Sequence, residues 1–307
     1  MYNNEINAMN ANPVGEFFEE FTQRIYKSMY EGLYSNCEKL FNAMFSSLNT
    51  RIASTSAELT TSPKDWSPSG FVIIQNAAET IFIPIGACII TFVFCWELIH
   101  IMQDNNQMHN IRPDTIMMQL LKLCLCLLAC SKYFDIVMGF FEVGAWATSK
   151  LSAGTVGTCG EGLALADLLP AATDPMKIGI VFEMIGNLIL LLVGNFAVLI
   201  CSAIIYIRVV LWFLEILIYS SAAPMPFATF GNREWSQMGM NYTRKMLALC
   251  FEGFFMLMAY ALYGGVVSGI GGGSFAESMV LIIGCGYALV MIMFKAGNIS
   301  ANIFNAH

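Results

Sequence analysis

Eight ionisable side chains lie inside stretches that are otherwise apolar: Glu97, Lys132, Asp135, Glu142, Glu183, Arg208, Glu215 and Glu252. A charged group at the centre of a bilayer costs at least about 2.5–3.5 kcal/mol on insertion scales, so several together point to a bundle interior or a wet cavity. A polar path or a subunit contact would use them, and so would interhelical pairing that simply holds a bundle together. Lys132 and Asp135 are three apart on one helix face and partly neutralise each other. Arg208 and Glu215, seven apart, share a face over two turns. Lys132, Asp135, Glu183, Arg208, Glu215 and Glu252 are the candidates for intramembrane polar or assembly roles.

No catalytic pattern accompanies them. The sequence lacks G-x-x-x-x-G-K-[ST], so no P-loop is expected to cradle phosphates, and it lacks H-E-x-x-H. The run Gly269, Gly271, Gly272, Gly273 lacks the third glycine of a G-x-G-x-x-G pattern and reads as a turn. The ten cysteines form no C-x-x-C pair, and eight of them lie in apolar stretches, where a thiol behaves as a small apolar group. Cys126 and Cys130 share a face, but His100, His109 and His307 are remote in sequence, so no zinc site is expected. The expectation is a protein without enzymatic activity, cofactor or metal.

The elements that must carry these residues follow from composition. Of 307 residues, 57% are apolar and 12% are charged, about half the charge of an ordinary soluble chain. Mean hydropathy is +0.62. There is too little polar surface to wrap a water-soluble core, and the fold class is an all-α polytopic transmembrane helical bundle. The net charge of 15 − 22 = −7 argues against sequence-independent DNA binding, which needs clustered Lys and Arg. Met1 to Pro13 is polar and acidic, with neither a basic n-region nor an apolar h-region, so an internal span is expected to direct insertion.

Residues 1–66 form the first region. Phe18, Phe21, Ile25, Met29, Leu33, Cys37, Leu40, Met44 and Leu48 recur at the helical period, which predicts an amphipathic helix over 14–50. It lies on a membrane surface, packs on a partner, or folds back on its own membrane domain. Residues 51–66 read as a polar connector. The membrane domain, 67–307, opens with Ser67 as N-cap and Pro68 at the first helical position. About six spans are expected, near 81–102, 116–147, 175–194, 196–222, 246–267 and 279–295. Pro84 should kink the first or mark an interfacial turn. The third and fourth are divided at Gly194-Asn195, because one helix over 175–222 would far exceed the roughly 30 Å hydrocarbon core. Polar 103–115, the Gly-, Ala- and Thr-rich 149–174 and the turn from Gly269 to Ser274 join the spans.

Charge distribution orients them. With six spans and a cytoplasmic N-terminus, 5 + 2 + 3 + 1 = 11 Lys and Arg lie inside and only Arg112 outside. With five spans the division would be 7 to 5. Six spans with both termini cytoplasmic is the expectation. The loop 224–245 then faces the cytoplasm. Pro224 and Pro226 end the preceding helix and stiffen the entry. Phe227, Phe230, Arg233, Glu234 and Trp235 follow, the composition of protein-interface anchors; the same rings would also suit a lipid headgroup belt.

At this loop the chain is similar to a known family. APMPFATFGNREW (Ala223 to Trp235) and NYTRKMLALCFEGFF (Asn241 to Phe255) resemble the Gram-positive branch of the TrbL family, related to the VirB inner-membrane pore subunit. FIPIGACIITFVFCWELI (Phe82 to Ile99), FDIVMGFFEV (Phe134 to Val143) and FKAGNISANIFNAH (Phe294 to His307) look similar in the same order. The resemblance runs from about Trp66 to the C-terminus and fades across 149–174. It implies a non-enzymatic channel or scaffold subunit of a conjugative type IV secretion system in the bacterial plasma membrane. The implied partners are other membrane subunits, a cytosolic VirB-four-type ATPase, a coupling protein and copies of the chain itself in a ring; indirect contact with the transferred DNA is also implied, and direct contact is left open. No catalytic residue is carried over. The rival readings are a small-molecule or ion permease using Arg208 and Glu215, which the absence of an internal repeat weakens, and a pore-less membrane scaffold.

Overall fold

The computed structural model describes residues 13–104, 113–155, 165, 169, 177–270 and 273–306. The expectations for residues 1–12, for His109, Arg112 and His307, and for most of 156–174 lie outside the described residues. Those described are helical, with no strand among them. In order come α1 (Pro13–Leu59), a short α2 (Pro63–Trp66), α3 (Pro68–Ala77), a π-turn (Ala78–Phe82) and α4 (Ile83–Asp104). Next are α5 (Pro113–Ser131), α6 (Tyr133–Thr155), α7 (Ile178–Ala222), α8 (Pro224–Ala228) and a 3₁₀ turn (Thr229–Gly231), before α9 (Ser236–Ser268) and α10 (Phe275–Ile303).

Local signals act as the sequence suggests at several joints. Ser67 caps α3 by accepting from Gly70 N at 3.3 Å, with Pro68 next. Pro84 does not break its helix. The ladder widens into the π-turn just ahead, which makes room for a ring that would otherwise strike the carbonyl one turn back. α7 ends at Ala222, immediately before the two prolines.

Other boundaries move. α1 continues nine residues into the expected connector, because Ile52, Thr55, Ser56 and Leu59 keep the helical spacing and are all buried. α6 likewise runs to Thr155, beyond the 116–147 assigned to its span. α9 begins at Ser236, ten residues ahead of the 246 assigned to its span, and α10 covers Phe275–Ile303 in place of 279–295. The loop 224–245 is therefore mostly helix.

The expected turn at Gly194-Asn195 does not exist. α7 passes through it as one helix of 45 residues. A single glycine costs a helix only about 1 kcal/mol, and here its missing side chain serves packing: a Cβ at Gly194 would come within 2.8 Å of Met279 Cε. The span at 116–147 is broken instead, α5 and α6 meeting at 70° around Lys132. Among the described residues four stretches are long and apolar enough to cross a bilayer alone, Pro68–Gln103, Ile178–Gly231, Ser236–Ser268 and Phe275–Ile303, and the bent pair makes five where it counts as one span. The 11-to-1 charge bias belonged to the six-span division; over five spans the residues divide 7 to 5, and the bias is lost.

The chain forms two compact units. Unit 1 comprises residues up to Arg51, Gly157–Ala203 and Tyr263–Ala288. Within it Tyr30, Cys37, Phe41 and Met44 of α1 are buried, as are Leu191 of α7 and Met279 of α10. Burial pushes the Tyr30 hydroxyl and the Cys37 thiol above their ordinary pKa values.

Unit 2 comprises Ile52–Val156, Ile204–Leu262 and Leu289–His307. Its contacts show what the bent pair does. Gln119 Nε2 donates to Gly231 O at 3.3 Å, Cys130 Sγ to Pro224 O at 3.3 Å, and Phe134 packs on Phe71 with ring centres 5.1 Å apart. Further on, Gly144 lies against the Cys250 backbone, and Ser152 Oγ is 2.9 Å from Ser56 Oγ. The partners of the pair thus move from the proline segment to Phe71, then to Cys250 on α9 and to Ser56 on α1, so it advances along unit 2 as a broken span and is not a hairpin. Gly144 allows α6 to approach α9 at backbone distance. Gly144→Ala is expected to cost about 1–3 kcal/mol through overpacking, read as a lower melting temperature in detergent. An unchanged melting temperature would show that the two helices separate freely.

Candidate functional site

Unit 2 gathers four intramembrane charges between α7 and α9. α7 presents Arg208, Glu215 and Tyr219 on one side, the spacing of a helix face. α9 presents Lys245 and Glu252 toward them. Arg208 Nη2 donates to Glu252 Oε1. Both residues are withdrawn from the surface, Arg208 at 9% and Glu252 at 2% exposure. Lys245 Nζ lies 3.9 Å from Glu215 Oε1, each about a third exposed. The two α7 charges expected to act together are therefore each satisfied from α9. Seven residues along a helix separate them by about 10 Å, too far for direct pairing, whereas a neighbouring helix meets each at contact distance.

The surroundings hold the pairs in register. The Arg208 guanidinium sits 6.0 Å from the centre of the Phe294 ring on α10, and Lys245 Nζ 5.8 Å from that of Tyr219. Trp212 Nε1 donates to Leu249 O at 3.0 Å, Tyr242 OH to Tyr219 O at 2.6 Å and Ser300 Oγ to Ala248 O at 2.6 Å. Hydrogen bonds from side chains of one helix to carbonyls of another fix both position and rotation. Two glycines complete the fit: a Cβ at Gly297 would lie 3.0 Å from Glu252 Oε1, and one at Gly253 2.9 Å from the Trp212 ring. Neither glycine announces itself in the sequence. Beside Arg208 and Glu215 an open groove of about 580 Å³ is walled by Leu211, Leu214, Ile218 and Phe294.

The proline segment is divided between core and surface. Pro224 and Phe227 are buried, Phe227 lying between Phe230 and Tyr242 with ring centres 5.9 and 5.7 Å away. Pro226 and Phe230 are half-buried. Phe227 is thus a packing residue, because the segment folds back as α8 onto α4 and α5 instead of projecting. Of the seven loop candidates only Arg233, Glu234 and Trp235 are exposed. Asn232 shapes this tip, its Oδ1 accepting from Glu234 N at 2.7 Å and from Trp235 N at 3.4 Å. His100 Nε2 of α4 lies 3.7 Å from Glu234 Oε1, and the Phe92 ring 5.7 Å from that of Trp235. Gln119 and Cys130, which anchor α5 to this segment, carried no signal in the sequence beyond their apolar neighbourhood.

The remaining candidates stand apart. Lys132 and Asp135 pair at 3.7 Å at the break between α5 and α6. Glu183 is exposed near the start of α7, in unit 1. Among the described residues no three metal-ligating side chains converge, and the described cysteines are free thiols.

The arrangement locks α7 and α9 together through satisfied charges. A sequence profile for a family described as TrbL/VirB6 plasmid conjugal transfer like protein matches residues 48–224, which is 177 of the 307. The match takes in Lys132, Asp135, Arg208 and Glu215 and stops at Pro224. Comparison with curated proteins and with solved structures finds no match.

Proposed function

This chain belongs to the TrbL/VirB6-like family of plasmid conjugal transfer proteins, and from that premise we propose that it is a channel or scaffold subunit through which a conjugative system moves DNA across the plasma membrane. Family and apolar helices together make it a multi-pass membrane component of such a system. The observation that carries the finer reading is the disposition of charge. The buried Arg208–Glu252 pair and the half-buried Lys245–Glu215 pair tie α7 to α9, as a load-transmitting wall requires. It assembles with copies of itself and with other membrane subunits of the apparatus. Its tip, Arg233, Glu234 and Trp235, docks a cytosolic ATPase of the VirB-four type or the coupling protein. The chain works without enzymatic activity of its own. A permease using Arg208 and Glu215 is disfavoured, since both charges already have partners on α9.

A cytoplasmic tip follows from the docking role. Reporter fusions at Asp104, Asn232 and Ala306 are expected to give a cytoplasmic signal and a fusion at Lys177 the opposite one. Opposite signals at Asp104 and Asn232 would contradict the packing of the tip on α4. The function itself is tested by deleting the chain from a donor: transfer should vanish, return on complementation, and leave uptake of small solutes unchanged. Wild-type transfer without the chain would end this reading.

A further inference from the structure

The outward surface of unit 2 is of two kinds. On α7, Ile207, Leu211, Leu214 and Ile218 are all exposed, an unbroken apolar row of the sort that lipid covers. α6 differs. Among its exposed apolar residues, Ile136, Val143 and Trp146, a row of Asp135, Glu142 and Ser149 recurs every seven residues and is exposed, with Lys132 at its head. The Lys132 and Asp135 side chains are 71% and 76% exposed even though they pair. Beyond Ser149, Ser152 of α6 packs against the buried Ser56 of α1, which brings that end of α1 alongside. There the outward positions of α1 are Ala53, Ser54 and Ala57, with no large apolar side chain.

The head of this row lies within the apolar layer. Cys130, two residues before Lys132, donates to Pro224 O, and Gly86 of α4 packs against the same carbonyl. Gly86 falls inside the apolar run Ile81–Met102, 5 residues from one end and 16 from the other, or about 7 and 24 Å along the helix axis. A helix break and a charged pair at such a depth are strongly unfavourable against hydrocarbon. They are tolerated where protein buries them or where they line a water-filled cavity. This chain does not bury them.

We infer that α6 and the adjoining end of α1 form the water-facing wall of the assembled channel, with α7 turned to lipid. The inference rests on the self-assembly proposed above, since copies of the chain must close the row into a lumen. The wall carries no net charge: Lys132 and Lys150 offset Asp135 and Glu142. A phosphate chain is thus neither held by a surplus of cations nor driven off by a surplus of carboxylates, as passage requires.

The test uses the full chain in its own membranes. Asp135→Cys, Glu142→Cys and Ser149→Cys should each react with a charged, membrane-impermeant thiol reagent an order of magnitude faster than Leu211→Cys and Leu214→Cys, after subtraction of the native cysteines. Spin labels at Asp135 and Glu142 should lie closer to their counterparts in neighbouring copies than labels at Leu211. Unreactive thiols on α6 would overturn the inference, because lipid or protein would then cover the row. Reactive thiols with longer inter-copy distances than at Leu211 would also overturn it, placing the row on an outer surface. Absence of any inter-copy distance at every position would instead overturn the self-assembly on which the lumen rests.

Discussion

Arg208→Ala should remove the folded chain from the membrane almost completely. The substitution leaves Glu252 buried beneath α7 and α10 with its partner gone, and removing one member of a buried pair costs about 3–5 kcal/mol. That is a large share of the 5–15 kcal/mol by which a domain is ordinarily stable. The loss spreads, because the same contact seats Phe294 and the close approach at Gly297. The expected readings are a low membrane level, a melting temperature in detergent lowered by several degrees, and loss of the oligomer. A second variant separates charge pairing from general damage. Arg208→Met with Glu252→Leu removes both charges and fills the space, and should recover most of the stability. If Arg208→Ala assembles normally with an unchanged melting temperature, the pair does not hold the bundle.

The second large effect is functional and leaves the fold alone. Arg233→Ala combined with Trp235→Ala should abolish DNA transfer while expression, insertion and self-assembly stay at wild-type levels. Both side chains project from the tip, and surface substitutions of this kind usually change stability by no more than about 0.5 kcal/mol. Trp and Arg are the residue types that carry most binding energy at protein interfaces, and Asn232 holds the tip in a fixed turn before any partner arrives. Recovery of the cytosolic ATPase with the purified chain should fall in parallel. A headgroup belt makes a different forecast: Trp235→Phe would then restore transfer without Arg233, since an aromatic ring alone satisfies a belt. Wild-type transfer and ATPase recovery in the double variant would rule out docking at the tip.

The amino-acid sequence by itself determined the class of this protein. Sparse charge and long apolar runs exclude any fold that faces water all round, and the helix is the one local structure that satisfies its own backbone in lipid. Ser67-Pro68 and the prolines at 224 and 226 mark helix ends because capping and missing donors act on the nearest residues. What only the tertiary structure decided depends on which helix faces which. Gly194 could end a helix or admit a neighbour, and the methionine opposite it, Met279, is remote in the chain. Phe227 looks equally suited to a surface and to a core, until α8 folds back and buries it. Arg208 and Glu215 share a face and so invite each other, yet each is met from α9, by Glu252 and Lys245. A period along one chain says where side chains point on their own helix. It carries nothing about the rotation of the next helix, and here that rotation gives Arg208 and Glu215 their partners.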